Sequence, residues 1–98
     1  MNFEWDPTKN RANIRKHGFD FVDAEEMFKG MLLARPDVRE DYYGEARWVG
    51  IGMTRGRVAV VAFAERGPNT IRIVSLRKAN QNERREYAKA IQDELEAH

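Results

Sequence analysis

The 98-residue chain contains no cysteine. That excludes a disulfide framework, a thiolate metal site and a thiol nucleophile. No apolar run approaches the roughly 18 residues that a membrane-spanning helix needs. The opening Met-Asn-Phe-Glu-Trp-Asp lacks the charged-then-apolar pattern of a signal peptide, so the expectation is a soluble, cytoplasmic protein. Histidine is scarce, with only His17 and His98, and the acid pairs Glu25-Glu26 and Glu40-Asp41 are adjacent rather than matched on one face, which leaves a metal site unsupported. Nothing marks Ser75 as the nucleophile of a Ser-His-Asp triad. Gly50 and Gly52 fall inside a predicted strand, without the following helix that a phosphate-binding loop requires. Internal repeats, linkers and low-complexity segments are all missing.

What is present suffices for one domain, 1–98, with 42% hydrophobic residues to build one core. The net charge of +1 is unevenly spread. Between residues 55 and 85 stand eight bases (Arg55, Arg57, Arg66, Arg72, Arg77, Lys78, Arg84 and Arg85) against two acids, Glu65 and Glu83, and the rest of the chain is net acidic. One basic segment in a near-neutral chain makes either a local anion-binding surface or a solvated face with no ligand.

Alternation predicts a short first strand at Asn2-Phe3-Glu4-Trp5. Asp6-Pro7 then opens a helix that Gly18 closes. A second helix starts at Asp20 and gathers Phe21, Ala24, Met27 and Phe28 on one face. Met31 to Arg35 reads as a strand ended by Pro36, and the acidic stretch 36–46 reads as an exposed loop. Three strands follow, Arg47 to Met53, Val58 to Glu65 and Thr70 to Arg77, joined by turn-like tetrapeptides into an antiparallel meander. Asn80 and Glu83 form a capping-box variant ahead of a last helix that is expected to bury the Arg84 stem, Tyr87, Ala88, Ile91 and Leu95. The order β-α-α-β-β-β-β-α argues for an α+β fold with helices on an antiparallel sheet.

Regular alternation along the last strand puts Ile71, Ile73, Ser75 and Arg77 on one face and Arg72, Val74 and Leu76 on the other. An arginine inside an apolar strand needs water or a partner, so Arg72 either pairs with a carboxylate such as Glu65 or lines a groove. The last helix carries Arg84 and Arg85 early and Asp93, Glu94 and Glu96 late, against its dipole. Such a violation marks either a functional site or a plain exposed helix. A basic surface with one nearby acid can cleave RNA without a metal: a base takes the 2′-hydroxyl proton, cations stabilise the charged phosphate, and an acid protonates the leaving oxygen. Glu65 is the candidate base; Arg66, Arg72 and Arg77 are the candidate phosphate ligands; Lys78, His17 and Lys9 are the candidate acids. The alternative is a non-catalytic RNA-binding or partner-binding basic module.

Phe3-Glu4-Trp5-Asp6-Pro7, with Lys9, Asn13, Lys16-His17-Gly18 and Phe21, resembles the opening of the BrnT-type toxins of bacterial type II toxin–antitoxin systems. The resemblance continues through Glu65-Arg66-Gly67, through Ile71-Arg72-Ile73-Val74-Ser75-Leu76-Arg77-Lys78-Ala79, and to Glu83-Arg84 and Tyr87. It implies a RelE-like α+β fold and a ribonuclease that needs no cofactor and inhibits translation. The partner it implies is a BrnA-like ribbon-helix-helix antitoxin, in a 2:2 complex that reaches operator DNA only through the antitoxin. Glu65, Arg66, Arg72 and Arg77 inherit the catalytic role under this resemblance; Lys9, His17, Lys78 and Tyr87 inherit supporting ones, and Arg84 is counted with them as an RNA-binding or supporting residue. The sequence departs from family habit at Asn80, where threonine is common, and at Leu76, where a small residue is common.

Overall fold

Capping chemistry sets the first helix. The Asp6 carboxylate accepts the Thr8 N–H, Pro7 takes the first helical position, and Gly18, at φ 76, ends the helix by donating its N–H to the Ile14 carbonyl. The structure, a computed structural model, describes residues 1–38 and 45–97. Most of the predicted acidic loop (39–44) and His98 lie outside the described residues. The order is β1 (Asn2–Glu4), α1 (Pro7–His17), a 3-10 turn (Phe21–Asp23), α2 (Ala24–Lys29), β2 (Leu33–Pro36), β3 (Arg47–Thr54), β4 (Arg57–Glu65), β5 (Thr70–Lys78) and α3 (Gln81–Glu96). α3 opens with the full capping box: Asn80 accepts the Glu83 N–H while the Glu83 carboxylate accepts the Asn80 N–H.

The five strands form one sheet in the order β1-β5-β4-β3-β2. β3, β4 and β5 are the predicted meander, and β2 adds antiparallel to β3. β1, however, pairs parallel with β5, Phe3 opposite Ile71. The sheet is therefore mixed, and the expectation of an antiparallel sheet is corrected. Hairpin turns fix the direction of neighbouring strands, but β1 reaches β5 through most of the chain and no turn dictates its sense. Pro36 belongs to β2 instead of ending it, as an edge strand permits. The β3–β4 turn has Arg55 at φ 53 and Gly56 at φ 72, the left-handed pair that a two-residue hairpin loop prefers. Arg55 is held there because Glu26 accepts its N–H at 3.0 Å.

One sheet face packs against α1 and α2 through Phe19, Phe21, Met27, Val61, Phe63, Ile73 and Leu76. Phe28 links this core to β1 and β4, 5.4 Å from Phe3 and 4.9 Å from Phe63 between ring centroids. The other face carries α3, with Ile51, Val60, Ala79 and Tyr87 buried beneath it. Tyr87 is buried and Ile91 packs beside it, whereas Ala88, about 100° round the helix from Tyr87, is exposed and Leu95 in the last turn is 72% exposed, against the expectation that both are buried. α3 therefore covers only one end of its face.

Candidate active site

A bulge decides which arginines meet. Ala62 pairs with Ser75 while Phe63 pairs with Ile73, which leaves Val74 as an extra residue in β5. Alternation resets there. Arg72 lies opposite Ala64, Ser75 opposite Ala62 and Arg77 opposite Val60, so all three share the face of α3. Ile71, Ile73 and Leu76 take the face of α1 and α2. This corrects the regular alternation, which separated Arg72 from Arg77.

The neighbouring strands extend the rows. Arg47 lies opposite Ala64 and Val49 opposite Ala62, while Arg35 of β2 lies opposite Val49. Arg72, Ala64 and Arg47 therefore form one cross-strand row, with Ser75, Ala62, Val49 and Arg35 as the next. Arg72 and Arg47 stand two strands apart, about 10 Å, across the small Ala64 side chain. Beside them an open concavity of about 380 Å³ has Val49, Arg35, Arg77 and Glu83 in its lining.

Carboxylates orient these guanidinium groups. Glu83 accepts from both Arg77 Nη atoms, each at 2.8 Å, the two-point fork that arginine and carboxylate favour. Those hydrogen bonds lead the causes that hold the Glu83 carboxyl at about 2, burial opposing them and the Asn80 N–H assisting. Glu45 accepts from Arg47 Nε at 3.0 Å and forms an ion pair with Arg66 Nη2 at 2.7 Å. Its carboxyl is lowered first by the Arg47 hydrogen bond, against burial, and further by the charges of Arg66, Arg47 and Arg72. Arg72 faces Glu4 at 3.9 Å, so its ion-pair partner is Glu4 and not Glu65. Glu65 pairs with Ile71 and so follows the α1/α2 face, at the exposed strand end.

α1 borders the site at the open edge of β5, beyond the short β1. Asn13 docks it there, its amide bonded to both backbone groups of Leu76. A shallow groove of about 250 Å³ follows, lined by Lys9, Asn13, Lys16, His17 and Ser75 among others. Burial, then the charges of Lys16 and Arg77, push the His17 imidazole below 6.5. That shift favours the neutral ring, the form that can accept a proton.

Of the other sequence candidates, Lys78 is an exposed side chain whose carbonyl accepts from Arg77 Nη1 at 3.3 Å. Arg84 donates to the Ala79 carbonyl at 2.9 Å, which occupies the cation placed against the helix dipole. Tyr87 is buried, and its hydroxyl donates to the Met31 carbonyl at 2.8 Å, so it supports α3 from the core. Arg35, Arg47 and Glu45 are site residues that the sequence reading did not single out. The one available signal was the alternation of Arg47 with Val49 and Ile51. Among the described residues no group of three or more His, Asp or Glu side chains is placed to hold a metal ion. Nor, among them, is any helix long and apolar enough to cross a membrane.

Comparisons with known proteins bear on the family and the fold. Residues 5–83 match a family model described as the ribonuclease toxin, BrnT, of type II toxin–antitoxin systems. The fold is similar to the crystal structure of the Brucella abortus ribonuclease toxin BrnT, with a TM-score of 0.67 and 31% sequence identity, over 83% of this chain and 99% of that one. No curated protein sequence matches the chain. A type II system pairs its toxin with a protein antitoxin, and on the extent of the match this chain belongs to the BrnT family of type II ribonuclease toxins.

Proposed function

We propose that the chain is a metal-independent endoribonuclease with a RelE-like site on the α3 face of its sheet, and that cleavage of RNA inhibits translation. One observation carries the reading: the Val74 bulge gathers Arg72 and Arg77 onto the face that already holds Arg35 and Arg47. Fixed guanidinium groups around a floor of small side chains suit a phosphodiester, whose charge grows as the transition state forms.

In the reaction, neutral His17 removes the proton of a ribose 2′-hydroxyl. The 2′-oxygen attacks the adjacent phosphorus, and the bond from phosphorus to the 5′-oxygen breaks. Lys9, on the same groove as His17, gives its proton to that leaving oxygen. Arg72 and Arg77, with Arg66 at the rim, hold the phosphate. The products are a 2′,3′-cyclic phosphate and a 5′-hydroxyl, and protons balance between His17 and Lys9.

The same basic face accounts for control. A BrnA-like ribbon-helix-helix antitoxin in a 2:2 complex that covers the arginines blocks cleavage by occlusion. The test of the chemistry is an RNA oligonucleotide with a single deoxynucleotide 5′ to its cleavage site, incubated in excess chelator. The all-ribose strand is cut to cyclic-phosphate ends and the substituted strand is spared. Cleavage of both, or cleavage only after magnesium is added, contradicts the mechanism.

A further inference from the structure

The carboxylate of Glu83 does two jobs at once. Oε1 accepts the Asn80 N–H at 2.8 Å and so closes the α3 capping box. The same oxygen accepts from Arg77 Nη1, and Oε2 accepts from Arg77 Nη2, each at 2.8 Å. The Glu83 side chain is only 13% exposed while the Arg77 side chain is 40% exposed, so the acid is set deeper into the protein than the arginine it holds. Asn80 accepts the Glu83 N–H at 2.8 Å in return, a backbone bond separate from the two that the carboxylate makes to Arg77, and those two hold the guanidinium. An arginine on a flexible stem is thereby held in one plane beside the α1 groove.

We infer that Glu83 is a positioning residue for RNA cleavage: it aims Arg77 at the scissile phosphate. The inference rests on the ribonuclease reading above and adds to it a residue that does not touch the substrate. Its signature is a loss in kcat with little change in KM, because a misaimed guanidinium still attracts RNA but no longer meets the transition state. A structural role predicts a different result, in which any variant that weakens the α3 cap costs activity alike.

Glu83→Gln keeps an acceptor for the Asn80 N–H, since glutamine serves in a capping box, but loses the charged two-point fork on Arg77. Asn80→Ala removes the cap side chain and leaves the Glu83–Arg77 pair in place. Both variants unfold at lower temperature than the wild type, so cleavage is measured where circular dichroism shows both folded. Glu83→Gln is expected to lose about tenfold to a hundredfold in kcat with KM within about threefold, and Asn80→Ala to hold kcat within about twofold. The side-chain Nε–H signal of Arg77 in an NMR spectrum, assigned by its loss in Arg77→Lys, gives a readout free of activity. It is sharp in the wild type and in Asn80→Ala, and broadened in Glu83→Gln. Wild-type kcat in Glu83→Gln, or an equal fall in Asn80→Ala, overturns the inference. A wild-type chain that cleaves no RNA sinks the ribonuclease reading instead, and an unchanged Arg77 signal in Glu83→Gln then overturns this one separately.

Discussion

Asn13 stands in for a β-strand at the edge of β5: its Oδ1 accepts the Leu76 N–H at 3.2 Å and its Nδ2 donates to the Leu76 carbonyl at 2.8 Å. The same Nδ2 donates to the Phe19 carbonyl at 3.0 Å. One buried amide thus satisfies backbone groups that the short β1 leaves unpaired, and it sets α1 against the sheet. Truncation strands two carbonyls and an N–H away from water. Asn13→Ala is expected to cost about 2–4 kcal/mol in urea unfolding. Asn13→Asp is expected to cost more, because a carboxylate then faces two carbonyl oxygens. A loss under about 1 kcal/mol in Asn13→Ala would mean that α1 is held elsewhere.

Charge variants are expected to divide by the face of the sheet on which they lie. Arg77→Ala and Arg72→Ala lose roughly 10²–10³ in kcat, the range for removing one preorganised charge from a transition state. Glu65→Gln, on the opposite face, loses less than about tenfold, and His17→Ala loses at least as much as Arg72→Ala. A Glu65→Gln variant as inactive as Arg77→Ala returns the base role to Glu65.

The His17 imidazole is pushed below its ordinary value by burial and then by the charges of Lys16 and Arg77. Removing either cation favours the protonated ring, so Lys16→Ala and Arg77→Ala both raise the midpoint. Two-dimensional NMR of the ring protons follows this directly. As the base must be neutral, kcat/KM of the wild type is expected to fall on the acid side with a midpoint below that of an ordinary imidazole.

Glu83 gives a stability prediction with a definite sign. Its carboxyl is held at about 2 in the folded chain, against an ordinary 4.5. A depressed folded value means that the contribution is complete above about 4.5 and is lost as the pH falls toward 2, up to about 3 kcal/mol. Urea midpoints measured between about pH 5 and pH 3 therefore fall more steeply in the wild type than in Glu83→Gln.

The parts of this arrangement that are written locally are legible in the sequence. Asp6, Pro7 and Gly18 bound α1, Asn80 and Glu83 start α3, and the strands β3 to β5 lie within a residue of their predicted limits. The parts that depend on distant pairing are not. The parallel partnership of β1 with β5 leaves no local signature. The bulge at Val74 has no turn residue to announce it, yet it moves Arg77 to the opposite face and with it the site. Glu45 looks like one more acid in a polar loop until β3 and the β4–β5 turn bring Arg47 and Arg66 to it. Glu65 shows the converse, a residue adjacent to Arg66 in the sequence that strand alternation sends to the far face.

The central claim is that guanidinium charge on the α3 face, and no metal, carries RNA cleavage. The direct test incubates total RNA with the purified chain and with Arg77→Ala, both in excess chelator and both verified as folded. The account predicts cyclic-phosphate fragments from the wild type and a loss of at least about a hundredfold in rate for Arg77→Ala. Equal cleavage by the two proteins, or none by the wild type until a divalent cation is supplied, would contradict it.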